Sequence, residues 1–183
     1  VLPSWDPLCC MVGNPTAGAD AQVCSLSYNL QATGTSTGSW TSVPAGASFS
    51  NPASPNATVT VPAPGGLYSF VWTDGPMPPC QAIDTVKIRF TQQPVANAGN
   101  GSSVCSYQSL LNAVPSVGTG LWTVSPATGV TITNPASAAT SVSVSGDGQY
   151  MFTWTENNGN GCTSSDQVTL GFYEQPVSFA GID

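Results

Sequence analysis

Chemistry in this chain rests on few residues: six cysteines, nine Asp and Glu, five tryptophans and no histidine. Without histidine the usual nucleophilic triads and most metal sites are out of reach. Glu156 and Glu174 stand alone, with no carboxylate partner at a useful spacing for acid–base work. The two basic residues, Lys87 and Arg89, alternate with Val86, Ile88 and Phe90, which puts them on the solvent face of a strand. Two cations cannot form the footprint that nucleic acid or anionic lipid requires, so neither is expected as a partner. No enzyme is expected. The cysteines are the reactive groups left. With no histidine and no Cys-x-x-Cys spacing they point to disulfides rather than zinc, and so to an oxidising compartment.

An internal repeat organises them. Trp40 matches Trp122, Trp72 matches Trp154, Cys80 matches Cys162 and Asp84 matches Asp166, while Cys24 matches Cys105 one residue out of step. Asn51-Pro52-Ala53-Ser54 recurs as Asn134-Pro135-Ala136-Ser137, and Gln93-Pro94-Val95 as Gln175-Pro176-Val177. Ala17-Gly18 opens a unit, Ala98-Gly99 opens a second, and Ala180-Gly181 a third. The expected division is 1–13 as an N-terminal segment placed where a preceding repeat would have its last strand, 14–93 and 94–175 as two repeats, and 176–183 as the start of another. A chain that opens on Val1 and stops inside a third copy reads as an excised or mature piece.

The elements that must carry these residues are strands. Charged residues are 6% of the chain against about 25% in ordinary domains, and helix-forming Glu, Lys and Arg are nearly absent. Tyr68, Phe70 and Trp72 alternate with polar neighbours, as do Val86, Ile88 and Phe90, and the second unit repeats this at Tyr150, Phe152 and Trp154 and at Val168, Leu170 and Phe172. Turns fall at 62–66 and 145–148. No apolar run approaches the roughly 20 residues of a membrane helix, so no membrane insertion is expected. The fold class is therefore all-β, two tandem immunoglobulin-like β-sandwiches.

Equal positions in the two units predict the disulfides Cys24–Cys80 and Cys105–Cys162, each closing a loop worth roughly 4 kcal/mol of unfolded-state entropy. Cys9 and Cys10 have three open fates: a bond to another molecule, a vicinal ring, or a bond to a missing neighbour. The repeat tryptophans are expected in the core, sugar stacking being the alternative use, and Trp5 lies outside both units. Tyr68 and Tyr150 are expected to make tyrosine-corner-like bonds. Asp20, Asp84, Asp166 and Asp183 lie near unit ends, where calcium stiffens tandem sandwiches. Asn100 interrupts that acidic pattern, so no cofactor is expected, with calcium as the one candidate. Asn56-Ala57-Thr58 and Asn100-Gly101-Ser102 match the N-glycosylation sequon.

The ordered set Val23-Cys24, Gly38-Ser39-Trp40, Tyr68-Ser69-Phe70-Val71-Trp72, Cys80 and Asp84-Thr85-Val86, with its second copy at Val104-Cys105, Gly120-Leu121-Trp122, Tyr150 to Trp154, Gly161-Cys162 and Asp166-Gln167-Val168, resembles the PKD-like, immunoglobulin-like tandem repeats of large secreted surface adhesins (SprB-type) of gliding bacteria that use type IX secretion. The resemblance implies an extracellular, cell-surface stalk that extends an adhesive region and contributes to gliding motility. It also implies neighbouring repeats as the main partners, and O-glycosylation at Thr85. Two rivals are a self-assembling filament subunit that exchanges terminal strands, with other subunits as partners, and a carbohydrate-binding module for surface glycans.

Overall fold

The computed structural model describes residues 13–34, 37–77, 80–179 and 181, with backbone only at 76, 77 and 80. Trp5, Cys9, Cys10 and Asp183, and with them most of the segment 1–13, lie outside the described residues. The chain divides between Gln92 and Gln93 into two compact units. Among the described residues every helix or strand is a strand, so the fold is all-β.

Unit 1 contains β1 (Ala21–Val23), β2 (Ser27–Asn29), β3 (Gly38–Val43), β4 (Ser48–Phe49), β5 (Thr58–Thr60), β6 (Gly66–Met77) and β7 (Cys80–Phe90). One sheet has the order β1-β7-β6-β3 and the other β2-β5-β4. Unit 2 repeats this with β8 (Ser102–Val104), β9 (Gln108–Asn112), β10 (Thr119–Ser125), β11 (Val130–Ile132), β12 (Ala139–Val144), β13 (Gly148–Asn157) and β14 (Thr163–Phe172). Its sheets run β8-β14-β13-β10 and β9-β12-β11. In each unit the short first strand lies parallel to the last, β1 on β7 and β8 on β14.

Alternation decides which side chains enter the core. Tyr68, Phe70 and Trp72 on β6 and Val86, Ile88 and Phe90 on β7 are buried and meet Leu30, Trp40, Val59 and Val61. Unit 2 uses Tyr150, Phe152, Trp154, Val168, Leu170 and Phe172 against Leu111, Trp122, Val142 and Val144. The residues between them face outward, Lys87 fully and Arg89 partly. The bonds Val43-Pro44 and Ser125-Pro126 are both cis, at equivalent positions just after β3 and at the end of β10.

Candidate functional site

The repeat signature is built into the packing. Trp40 on β3 lies directly across from Trp72 on β6, and Trp122 on β10 across from Trp154 on β13. The ring centroids are 5.1 Å and 5.2 Å apart, tilted by 53° and 50°. All four tryptophans are at most 3% exposed. Strand alternation sends each one inward, into the core where the sequence places it, and no aromatic face is left on them for the alternative use, sugar stacking.

The Gly-x-Trp motif serves this pair. A Cβ on Gly38 would lie 2.0 Å from Cζ2 of Trp72, and one on Gly120 would lie 1.8 Å from Cζ2 of Trp154. Only glycine lets β3 and β10 pass over the indoles. The Asn-Pro-x-Ser segments hold the other tryptophan. Asn51 Oδ1 accepts from Ala53 N and Asn134 Oδ1 from Ala136 N. The turns so closed offer Pro52 O to Trp40 N at 2.8 Å and Pro135 O to Trp122 N at 2.7 Å. The indoles of Trp40 and Trp122 donate to Ser54 O and Ala138 O. In unit 2 the Tyr150 hydroxyl donates to Gly146 O at 3.1 Å, a bond of the tyrosine-corner kind.

The repeat aspartates are also bound internally. Asp84 Oδ2 accepts from Ala17 N at 2.7 Å and Asp166 Oδ2 from Ala98 N at 2.8 Å, which ties the Ala-Gly opening of each unit to its last strand. Asp20 Oδ1 accepts from Lys87 N. The backbone N–H groups of Ala98 and then Gln167 hold the Asp166 carboxyl below its ordinary range. A depressed folded value means that this stabilisation is present above the unfolded value and is lost as pH falls through the folded one. Asp166→Asn is expected to lower the melting temperature of unit 2 at neutral pH and to leave unit 1 unchanged, as two resolved calorimetric transitions would show. Among the described residues no group of three or more His, Cys, Asp or Glu is placed to hold a metal ion.

Glu156, read from sequence as isolated, is 1% exposed and fully engaged. It accepts from Ser116 N at 2.9 Å, from Trp154 Nε1 at 3.0 Å, and from the Ser116 hydroxyl. Burial alone would raise its pKa, but the hydrogen bonds from Ser116, Trp154 and Val117 outweigh burial and hold it below the ordinary glutamate range. In unit 1 the equivalent buried acid is the shorter Asp74, and Trp72 Nε1 is buried with no hydrogen-bond partner.

The cysteines depart from the predicted pairing. Cys24 and Cys162 are each in a disulfide, while Cys105 is free and exposed. The predicted Cys105–Cys162 bond is therefore not formed, and strand direction gives the reason. Val104 is level with Phe172 at the end of β14, and Tyr173 N donates to Val104 O, so Cys105 sits at the end where the chain leaves the unit. Cys162 sits just before Thr163, at the other end of β14. At about 3.3 Å per residue the two ends are roughly 30 Å apart, far beyond the ~7 Å between Cα atoms that a disulfide tolerates. Cys24–Cys80 fails in the same way. Val23 is level with Phe90 and Thr91 N donates to Val23 O, whereas Cys80 begins β7. Equal repeat positions established equivalence between units, not proximity within one.

Of the predicted modification sites, Thr85, Asn56 and Asn100 are all exposed, Thr85 on β7 and the two asparagines outside the strands.

The architecture defines the class: two tandem β-sandwich units of the immunoglobulin-like kind. No protein-family model matches the chain, and no curated protein matches it. Among solved structures, the insect immune protein hemolin, whose domain arrangement carries implications for homophilic adhesion, is similar at 9% identity and a TM-score of 0.52, over 88% of this chain and 47% of that one. The PKD domain of the KIAA 1837 protein is similar to 49% of this chain and covers 93% of its own, at 20% identity and a TM-score of 0.39. The fibronectin(III)-like modules of CbhA from Clostridium thermocellum match 94% of this chain and 98% of theirs, at 14% identity and a TM-score of 0.38. At such identities the likeness is one of fold.

Proposed function

We propose that this chain is a run of structural repeats from the stalk of a large extracellular, cell-surface adhesin, and that it works mechanically rather than catalytically. The observation that carries this reading is the use of the repeat signature. Tryptophan, glycine, Asn-Pro-x-Ser and aspartate are each spent on the unit's own core, close approach, turn or opening segment. A repeat whose recurring residues all serve its own fold is suited to being stacked. The disulfides at Cys24 and Cys162 favour an oxidising compartment outside the cytosol. The sequence resemblance to SprB-type repeats of gliding, type IX-secreting bacteria favours the surface of such a cell. Neighbouring repeats of the same polypeptide are then the main partners, and exposed Thr85, Asn56 and Asn100 are the positions for glycans. The carbohydrate-module alternative loses its main candidates, because all four repeat tryptophans are buried.

Light scattering and negative-stain imaging of the purified chain, with and without reductant, test this reading. Monomers of discrete paired domains that persist on dilution are expected. Ordered fibres that survive reductant would replace the stalk with a strand-exchanging filament subunit.

A further inference from the structure

Core, turns and opening segments recur between the units, but two surface features do not, and they fall one in each unit. On unit 1, Arg89 of β7 stands level with Gln22 of β1 and Leu67 of β6 on the outer face of the sheet. Lys87 lies two residues earlier on that face, its backbone N–H held by Asp20. These side chains line a shallow groove of about 350 Å³, in which Leu67 is half-exposed. Lys87 and Arg89 are the only Lys and Arg of the chain, and unit 2 has Thr169 and Gly171 in their places. Unit 2 departs in the opposite sense. Its Tyr107 hydroxyl donates to Asp147 Oδ1 at 2.9 Å. The hydrogen bond to Asp147, then burial, then the charges of Asp147 and Glu174 hold that hydroxyl above its ordinary pKa, so Glu174 belongs to the same negative patch. Tyr107, Asp147 and Glu174 are all exposed, as is Tyr173 beside Glu174 in the chain. Unit 1 has Leu26, Gly65, Gln92 and Thr91 at these four positions.

We propose that the Lys87–Arg89 face of unit 1 is a docking surface for the Tyr107–Asp147–Glu174 patch of unit 2 in a second copy of this chain. The two surfaces are complementary in chemistry. A guanidinium takes a carboxylate through paired hydrogen bonds, and both cations are attracted to the face of a tyrosine ring. Leu67 adds apolar area between them. So few charges on so small an area give a weak contact that salt screens. Dilute copies therefore stay monomeric, and only chains crowded side by side associate. The two surfaces differ, so the contact is head-to-tail and leaves each copy in a pair with one surface free. Single-chain mechanics do not depend on this contact, and its absence would leave the stalk reading standing.

Charge reversal in trans tests the proposal. Sedimentation of the full chain, its free thiols alkylated, is followed at rising concentration in roughly 10 mM and roughly 1 M salt, where charges act over about 30 Å and about 3 Å. The average mass is expected to rise with concentration at low salt and to return to the monomer at high salt. Lys87→Glu with Arg89→Glu should abolish the rise, and so should Asp147→Lys with Glu174→Lys. An equimolar mixture of the two double variants should regain it, since each supplies the surface that the other lacks. Glu174→Lys alone, beyond the end of β14, replaces the second pair if Asp147→Lys fails to fold. A wild-type chain that stays monomeric at low salt, or a mixture that does not associate, would overturn the proposal. So would a uronic-acid oligosaccharide that binds through Lys87 and Arg89 to a chain that does not self-associate, which would assign this face to an acidic glycan.

Discussion

Gly120→Ala is expected to cost unit 2 about 3 kcal/mol or more, enough to melt it well below unit 1. The new methyl carbon would lie 1.8 Å from Cζ2 and 2.2 Å from Cη2 of Trp154. That indole is 2% exposed and packed against Trp122, so it has nowhere to move. Backbone strain plays no part, because Gly120 has no positive φ. Gly38→Ala should do the same to unit 1 through Trp72. Gly146→Ala, where an added Cβ meets nothing within 4 Å, should stay within about 0.5 kcal/mol. Both clashing atoms lie on the outer ring of the fused indole, which extends farther from the backbone than the single ring of phenylalanine. Trp154→Phe is therefore expected to recover part of the loss when combined with Gly120→Ala, a non-additivity that a double-mutant cycle by calorimetry or denaturant unfolding would measure. Simple additivity of the two losses would mean that the glycine is not there for the indole.

Glu156→Ala is expected to lower the stability of unit 2 by about 3 kcal/mol, or a fall of roughly 12–24 °C in its melting temperature. Removing the carboxylate strands the buried Trp154 indole N–H and takes the shared acceptor, itself 1% exposed, from the Ser116 N–H and hydroxyl. The same group gives a pH signature. Its folded pKa lies below the unfolded one, about 4.3, so its contribution is complete above that value and disappears as pH falls through the folded value. Glu156→Gln should flatten part of the acid limb of unit 2's stability curve, with Asp166 supplying some of the remainder. Asp74 offers no such acceptor to Trp72 Nε1, so Asp74→Ala should not reproduce the indole part of this loss in unit 1.

Much of the fold was legible because the repeat sampled it twice. Tyr68-x-Phe70-x-Trp72 and its copy state an alternation that only a strand with one buried face satisfies, and Gly-x-Trp placed a tryptophan opposite each of those strands. The cysteine pairing was not legible, since it depends on strand polarity. Cys24 and Cys80 belong to one repeat in sequence, yet the parallel register of Val23 with Phe90 sends them to opposite poles. Glu156 was misread for a related reason. One of its partners, Trp154, is two residues away on the same strand face, which alternation could have revealed. The other, Ser116, is delivered by a loop forty positions earlier that has no motif of its own. The aspartates Asp84 and Asp166 recur strictly, but the group they bind is a backbone N–H, which leaves no trace in the sequence.

Stretching the single chain from its two ends, in reductant, tests the mechanical role most directly. Two discrete unfolding events are expected, each releasing roughly 260 Å of contour, less the end-to-end length of the folded unit, at about 3.5 Å per residue for units spanning Ala17–Phe90 and Ala98–Phe172. A smooth extension without force peaks would show that neither unit resists load, and the chain could not then serve as a stalk.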